Sequence, residues 1–342
     1  MRLLVVTQKV DREDPILGFF HGWLRALAFP FQRITVIGQM TGAYELPGNV
    51  QVRSLLKEHG ISRTSQILRF WSLIWKMRSE YDVVLVHMTP VWVIIGAPLW
   101  WMLKKRVYLW YEARGGGWKL RVALLFVDKV FSASPSGMPV RTDKSVITGH
   151  GIDTDRFSPD EDEPRDEKLL ITVGRITESK RLPILISCLQ SLPPDYRLQI
   201  AGKTIAKADD ALIRKLRISC EAANIIDRID VQALAPEDVV SALRHATLFV
   251  HASVTGLDKA LLEAMSCGCL IVTCAEAAMD LVPPQCLAAP DGKAMAEVAR
   301  RLLALPQVQQ DALRAQVRET VEREHGLNKL VVRLKEEMQA KR

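Results

Sequence analysis

The sequence is poor in the features that mark several large protein classes. Its six cysteines, Cys188, Cys220, Cys267, Cys269, Cys274 and Cys286, form no Cys-x-x-Cys pair and match no zinc spacing, which excludes a zinc ribbon or a dithiol redox motif on pattern. Several sit in apolar segments as small hydrophobes, as expected of a reduced, cytosolic chain. The seven histidines are scattered, none beside an acidic cluster at ligand spacing, so no protein-bound metal and no cofactor is expected. There is no G-x-x-x-x-G-K-[ST], no H-E-x-x-H and no G-x-S-x-G, which argues against P-loop, zincin and hydrolase chemistry. Low-complexity tracts and solenoid-period repeats are absent too. The first apolar run, Leu3 to Val6, ends at Gln8, Lys9 and Asp11, too short for a signal peptide, and reads as a buried strand.

One long uncharged run does occur, Val83 to Leu103, 21 residues, about the length that spans a bilayer. Pro90 and Pro98 interrupt it and Val83–Val86 has the β-branched look of a buried parallel strand. The rest reads as a short helix ending in Lys104-Lys105-Arg106. A strand followed by a helix lying on a membrane surface is therefore preferred to a span.

What is present suggests two domains. The chain has 342 residues, 48% hydrophobic and 25% charged, more than one core usually serves. Its net charge of +7 is uneven: residues 1–159 carry 21 Lys and Arg against 12 Asp and Glu, and residues 160–342 carry 25 against 27. All eight tryptophans (23, 71, 75, 92, 100, 101, 110 and 118) lie in the basic half. Trp beside Lys and Arg suits a membrane interface, and equally a Trp-rich core under a solvated basic surface; both readings stay open. The basic half is not read as a nucleic-acid surface.

Short apolar strands alternate with amphipathic helices, the pattern of parallel sheets covered by helices. Strands are predicted near 2–7, 33–38, 50–54, 82–87, 106–111, 129–133 and 144–148, then 168–173, 196–201, 228–231, 247–251, 270–274 and 286–288. Ser62 or Ser65 caps a helix whose Ile67, Leu68, Trp71, Ile74 and Trp75 recur at helical spacing. The charged, Pro-containing stretch from Ser158 to Pro164 reads as a linker. The expected α/β organisation is a domain over 1–157, a linker over 158–166, a second domain over 167–325 and a C-terminal helix over 326–342 that packs back on the first domain. Two wound domains would leave a cleft between them.

Three loops carry chemistry. Val173-Gly174-Arg175-Ile176-Thr177-Glu178-Ser179-Lys180 follows a predicted strand; glycine permits the turn, and an Arg with a Lys could neutralise a diphosphate. Thr255-Gly256-Leu257-Asp258-Lys259 opens a helix that carries Glu263 and closes at Gly268. A helix start offers N–H groups to an anion, and Glu263 could accept from ribose hydroxyls; the plain alternative has Asp258 as a cap and Glu263 on a solvated face. Gly149-His150-Gly151-Ile152-Asp153 precedes the linker.

In this order and separation the three resemble the retaining glycosyltransferase family 4, with its N-G-I/V-D-x-x-x-F, G-R-x-x-x-x-K and E-x7-E with E-A-M-x-x-G patterns. The resemblance implies the GT-B fold, two Rossmann-like domains with parallel sheets facing a cleft. It implies a metal-independent enzyme that moves a sugar from a nucleoside diphosphate sugar to a sugar or lipid-linked acceptor, in polysaccharide, glycolipid or envelope glycan synthesis. It gives Arg175 and Lys180 the diphosphate and Glu263 the ribose, with Gly174, Thr255, Gly256, Leu257, Asp258 and Lys259 lining the donor. Gly18, His21, Glu112, Arg114 and Gly151 are the acceptor or sugar candidates. Lys104, Lys105 and Arg106 are the expected contacts with an anionic membrane, on its cytoplasmic face. Two departures stand out: Thr255 replaces the first glutamate of the pair, and Ala113 lies where a histidine is expected. They motivate one alternative, a non-catalytic nucleotide-sugar binder; a nucleotide-sugar epimerase is a further alternative, which would need a base and an acid in the cleft that the sequence does not identify.

Overall fold

Near-continuous burial along the central strands marks two separate sheets, each covered on both faces. The computed structural model describes residues 1–14, 16–160, 162–204 and 207–340, and the chain divides into two units, Met1–Gly151 with the stretch from Gly326 onward, and Ile152–His325.

The first unit holds seven parallel strands: β1 (Arg2–Val10), β2 (Arg33–Thr41), β3 (Val50–Ser54), β4 (Val83–His87), β5 (Arg106–Trp110), β6 (Lys129–Ser132) and β7 (Ser145–Ile147), in the order β3-β2-β1-β4-β5-β6-β7. Side chains of a strand alternate between faces, and β1 shows the result. Leu3 and Val5 pack with Val83, Leu85 and Trp110 on one side, Leu4 and Val6 with Val84, Val86 and Leu109 on the other. A sheet buried on both faces needs helices on both. On the first face lies α1 (Phe19–Ala28); on the second lie α2 (Arg63–Lys76), α3 (Pro90–Met102) and α4 (Trp118–Phe126). Ser62 caps α2, its hydroxyl accepting from the Ser65 N–H at 3.1 Å.

The uncharged run is thus β4, a turn and α3, whose N1 position is Pro90, where a missing N–H costs nothing. Among the described residues no helix is long and apolar enough to cross a membrane. The tryptophans divide between both readings: Trp23, Trp92, Trp100 and Trp110 are buried, while Trp71, Trp75, Trp101 and Trp118 are exposed.

The second unit holds β8 (Asp166–Val173), β9 (Arg197–Ala201), β10 (Ile229–Gln232), β11 (Ala246–His251) and β12 (Leu270–Thr273), parallel in the order β10-β9-β8-β11-β12. Its helices are α5 (Leu182–Gln190), α6 (Lys207–Ala222), α7 (Asp238–His245), α8 (Lys259–Ser266), α9 (Gly292–Leu303) and α10 (Gln307–Glu324). The last helix, α11 (Leu327–Gln339), belongs to the first unit, where Leu330, Leu334 and Met338 join the core beside α1.

Two expectations are corrected. Residues 286–288 form no strand: Pro284–Cys286 is a single 3-10 turn and Leu287 makes one bridge to Thr273. Adjacent prolines at 283 and 284 remove the N–H groups a ladder needs. The stretch read as a linker lies inside the second unit; Glu161 is outside the described residues, but the Ser158 carbonyl and Asp160 accept from Arg244 at 2.7 and 3.1 Å, so the segment is pinned to α7.

Candidate functional site

In each sheet the strand order reverses once, between β1 and β4 in the first and between β8 and β11 in the second. Such switch points open a crevice at the carboxyl ends of the strands, where open α/β sheets bind ligands. In the second unit the two loops there are those singled out by sequence, 174–180 after β8 and 252–258 after β11.

Gly174 turns the first loop at φ +140°, a conformation that L side chains rarely adopt. Its N–H donates to the Ala201 carbonyl at 3.0 Å. A Cβ on Gly202 would run into the Gly174 carbonyl oxygen, so this loop rests on a second glycine, at the end of β9, that the motif does not contain. Arg175 is exposed, and among the described residues its guanidinium has no hydrogen bond or ion pair. Lys180 folds back over Gly174 and ion-pairs with Oδ2 of Asp258, the two side chains 15% and 18% exposed. The Val254 N–H donates to the Ser179 carbonyl at 3.0 Å, a second tie between the loops.

Asp258 precedes α8 but makes no cap bond, contrary to the plain alternative. Its Oδ2 lies 3.0 Å from Nε2 of buried His251, whose Nδ1 is 3.1 Å from Thr273 Oγ1. The Asp258 carboxylate can only accept, which assigns a ring proton to Nε2, facing it; Thr273 Oγ1, beside Nδ1, also accepts the Ala275 N–H at 3.1 Å. Burial alone would raise the Asp258 carboxyl. The His251 bond and the Lys180 charge override it, and the group is held well below the usual carboxylate range.

One turn further, Lys259 and Glu263 share a face of α8 at i, i+4. Burial lowers the Lys259 ammonium to about 8, opposed by Glu263. Burial raises the Glu263 carboxyl, opposed by Lys259 and Arg156. Both remain half-buried, so Glu263 is neither a solvated face residue nor a sealed core one. Gly268 ends the helix region at φ +70° as expected of a glycine stop. Thr255, in place of the glutamate, is tied to Ser253 through hydroxyls 2.7 Å apart. Gly256 beside it is half-buried, and Leu257 is core. Among the described residues no group of three or more His, Cys, Asp or Glu is placed to hold a metal.

Most first-unit candidates have partners within their own unit. Gly18 donates to the Asp14 carbonyl at 2.9 Å and has no room for a Cβ. His21 Nε2 accepts the Glu45 N–H at 3.1 Å, and burial lowers its imidazole. Glu112 is locked: Oε2 accepts from Ser132 Oγ, Ala133 N and Ser134 N at 2.8, 2.8 and 3.2 Å, and Oε1 from Ser134 Oγ at 3.0 Å. Burial still raises its carboxyl. Gly151, at φ +67°, accepts from Trp23 Nε1 at 3.1 Å and packs under that ring. Arg114 is exposed.

The basic triplet is only partly exposed. Lys105 Nζ donates to the Tyr81 carbonyl at 2.5 Å and covers its ring. Arg106 clamps the end of α11 through the carbonyls of Met338 and Ala340. Only Lys104, at φ +52°, is exposed.

Residues 167–305 match the family model described as glycosyl transferases group 1. The chain is similar in fold to Anabaena HepE, solved in complex with UDP (TM-score 0.80, 17% identity, 99% of each chain covered) and with UDP-glucose (0.78, 16%, 99% of each). It is also similar to sucrose-phosphate synthase from Thermosynechococcus elongatus (0.79, 16%, 98% of each) and to the lipopolysaccharide outer core galactosyltransferase WaaB (0.66, 14%, 98% of this chain and 100% of that one). No curated protein matches the chain by sequence.

Proposed function

We propose that this chain, which has the GT-B fold and carries a glycosyl transferases group 1 domain over residues 167–305, is a retaining glycosyltransferase using a nucleoside diphosphate sugar. The observation that carries the reading is the meeting of the Arg175–Lys180 loop with the Asp258 loop at the second unit's switch point. Arg175 is an unpaired cation there and Lys180 is a second one held by a single carboxylate. Two such groups suit a diphosphate and stabilise the charge that grows on it as it leaves. Glu263 takes the ribose, and Asp258 supplies the carboxylate that Thr255 lacks.

In the retaining course the acceptor oxygen bonds to the anomeric carbon on the face from which the diphosphate departs. The C–O bond to phosphate breaks, and the acceptor proton passes to the departing phosphate oxygen. No protein nucleophile and no protein-bound metal is assigned. HepE was solved with UDP and with UDP-glucose, which supports a uridine donor as the first to try.

We place the acceptor at an anionic membrane face, as in polysaccharide or envelope glycan synthesis. Support comes from the basic first half and from Trp101, Met102, Leu125 and Phe126, exposed on the adjacent helices α3 and α4 beside Lys104 and Arg121. Apolar side chains ringed by cations suit an anionic lipid surface.

The test is incubation with a panel of nucleotide sugars, read by chromatography and by NMR of the anomeric product. Slow hydrolysis, or transfer with retained configuration, is expected. Isomerised donor would establish an epimerase instead, and binding without turnover a non-catalytic binder.

A further inference from the structure

The first unit has its own cavity, of about 470 Å3, lined at the β1/β4 switch point by Lys9, Met40, Lys57, Met88, Thr89 and Lys119. These residues come from the carboxyl ends of β1, β2 and β4, the turn after β3 and the first turn of α4, so five elements converge on one crevice. Its charges are unequal in kind. Lys9 is compensated by Asp11 and Asp14, each at 2.8 Å, and both carboxylates also take backbone N–H groups. Lys57 and Lys119 are exposed and, among the described residues, have no carboxylate partner.

The backbone points to the same place. Met88 holds φ +59° without being glycine. Its N–H donates to the Trp110 carbonyl at 2.8 Å, and its sulfur accepts the Glu112 N–H at 3.2 Å. Such conformations persist only where the surroundings enforce them, and they gather at ligand sites. Here the strain turns a flexible apolar side chain into the crevice wall.

We propose that this cavity seats the acceptor and that the acceptor carries a phosphate group, held between Lys57 and Lys119 with its uncharged part on Met40 and Met88. Two uncompensated ammonium groups match a phosphate monoester, which carries about −1.5 to −2 at neutral pH, better than a single carboxylate. That the phosphate compound is an acceptor rests on the transferase reading; the anion site does not.

Both methionines are reporters. In the full chain with 13C-methyl methionine, resonances assigned through Met40→Leu and Met88→Leu are followed on addition of glycerol 1-phosphate, decyl phosphate or glycerol. Both phosphates are expected to shift the two methyls and glycerol to leave them, with Lys57→Gln and Lys119→Gln each weakening the phosphates roughly tenfold, one charge-assisted bond. The same shifts are expected in Arg175→Ala, which separates this site from the nucleotide site. Much tighter decyl phosphate supports a lipid-borne phosphate, and equal affinities a soluble one. Unmoved methyls, equal shifts with glycerol, or unchanged affinity in both lysine variants overturns the proposal. Phosphate binding in a chain that turns over no nucleotide sugar would leave the anion site standing and remove the transferase reading.

Discussion

Asp258→Asn keeps the shape of the side chain and removes its charge, so it isolates what the carboxylate does for Lys180. Removing one partner of a fully buried ion pair costs about 3–5 kcal/mol because a bare charge is left behind. Lys180 retains 15% exposure and can turn toward water, which reduces the expected loss in stability to about 2 kcal/mol. Nucleotide binding responds in the opposite sense. Asp258 and a diphosphate compete for one ammonium, so removing the carboxylate leaves UDP affinity unchanged or up to about tenfold tighter, about 1.4 kcal/mol. Turnover falls by about a hundredfold, since the sugar loses its carboxylate and His251 its charged acceptor. Urea denaturation, titration calorimetry with UDP, GDP and ADP, and steady-state rates read the three effects separately. UDP binding weakened as much as in Lys180→Ala would refute the reasoning: Asp258 would then be preorganising Lys180, not competing for it.

Glu263→Ala is expected to weaken the free nucleoside diphosphate about tenfold or more, the scale of one hydrogen bond to a charged group, and calorimetry with the same three nucleotides decides it. Burial holds the His325 imidazole at about 4, against an ordinary 6.5. Between those values the unfolded chain binds a proton that the folded chain does not, so stability should fall as pH drops from about 6.5 to about 4; urea midpoints measured across this window should lose that slope in His325→Gln. Sedimentation with anionic vesicles should be salt-sensitive and should weaken in Trp101→Ser with Lys104→Gln, one lysine contributing about 1 kcal/mol at such a surface. A chain that stays in the supernatant at low salt would contradict the membrane placement.

The sheets were legible because runs such as Leu3–Val6 and Leu248–Val250 are buried on both faces, which demands apolar residues at every position. The loop after β8 was legible because Gly174, Arg175 and Lys180 lie within seven residues. His251, Thr273 and Gly202 were missed for the opposite reason. They join the site only through the pairing of β8 with β9 and with β11 and of β11 with β12, and Lys180 meets a partner 78 positions away. The partners of the basic triplet were hidden in the same way, since Arg106 bonds carbonyls more than two hundred residues downstream. The local partners of Gly151 and Glu112 were hidden too, because a tight glycine and a lone carboxylate look alike in sequence, whether they serve a ligand or a neighbouring strand.

The central claim is that Arg175 and Lys180 hold the diphosphate of a nucleotide sugar. Its most direct test is donor turnover by the wild-type chain, Arg175→Ala and Lys180→Ala, each shown by circular dichroism to be folded. Each substitution removes a charge-assisted contact worth about 1.5–3 kcal/mol in binding, and more at the transition state. The account predicts turnover in the wild type and its loss in both variants with the fold intact. Activity within twofold of wild type in either folded variant would contradict it.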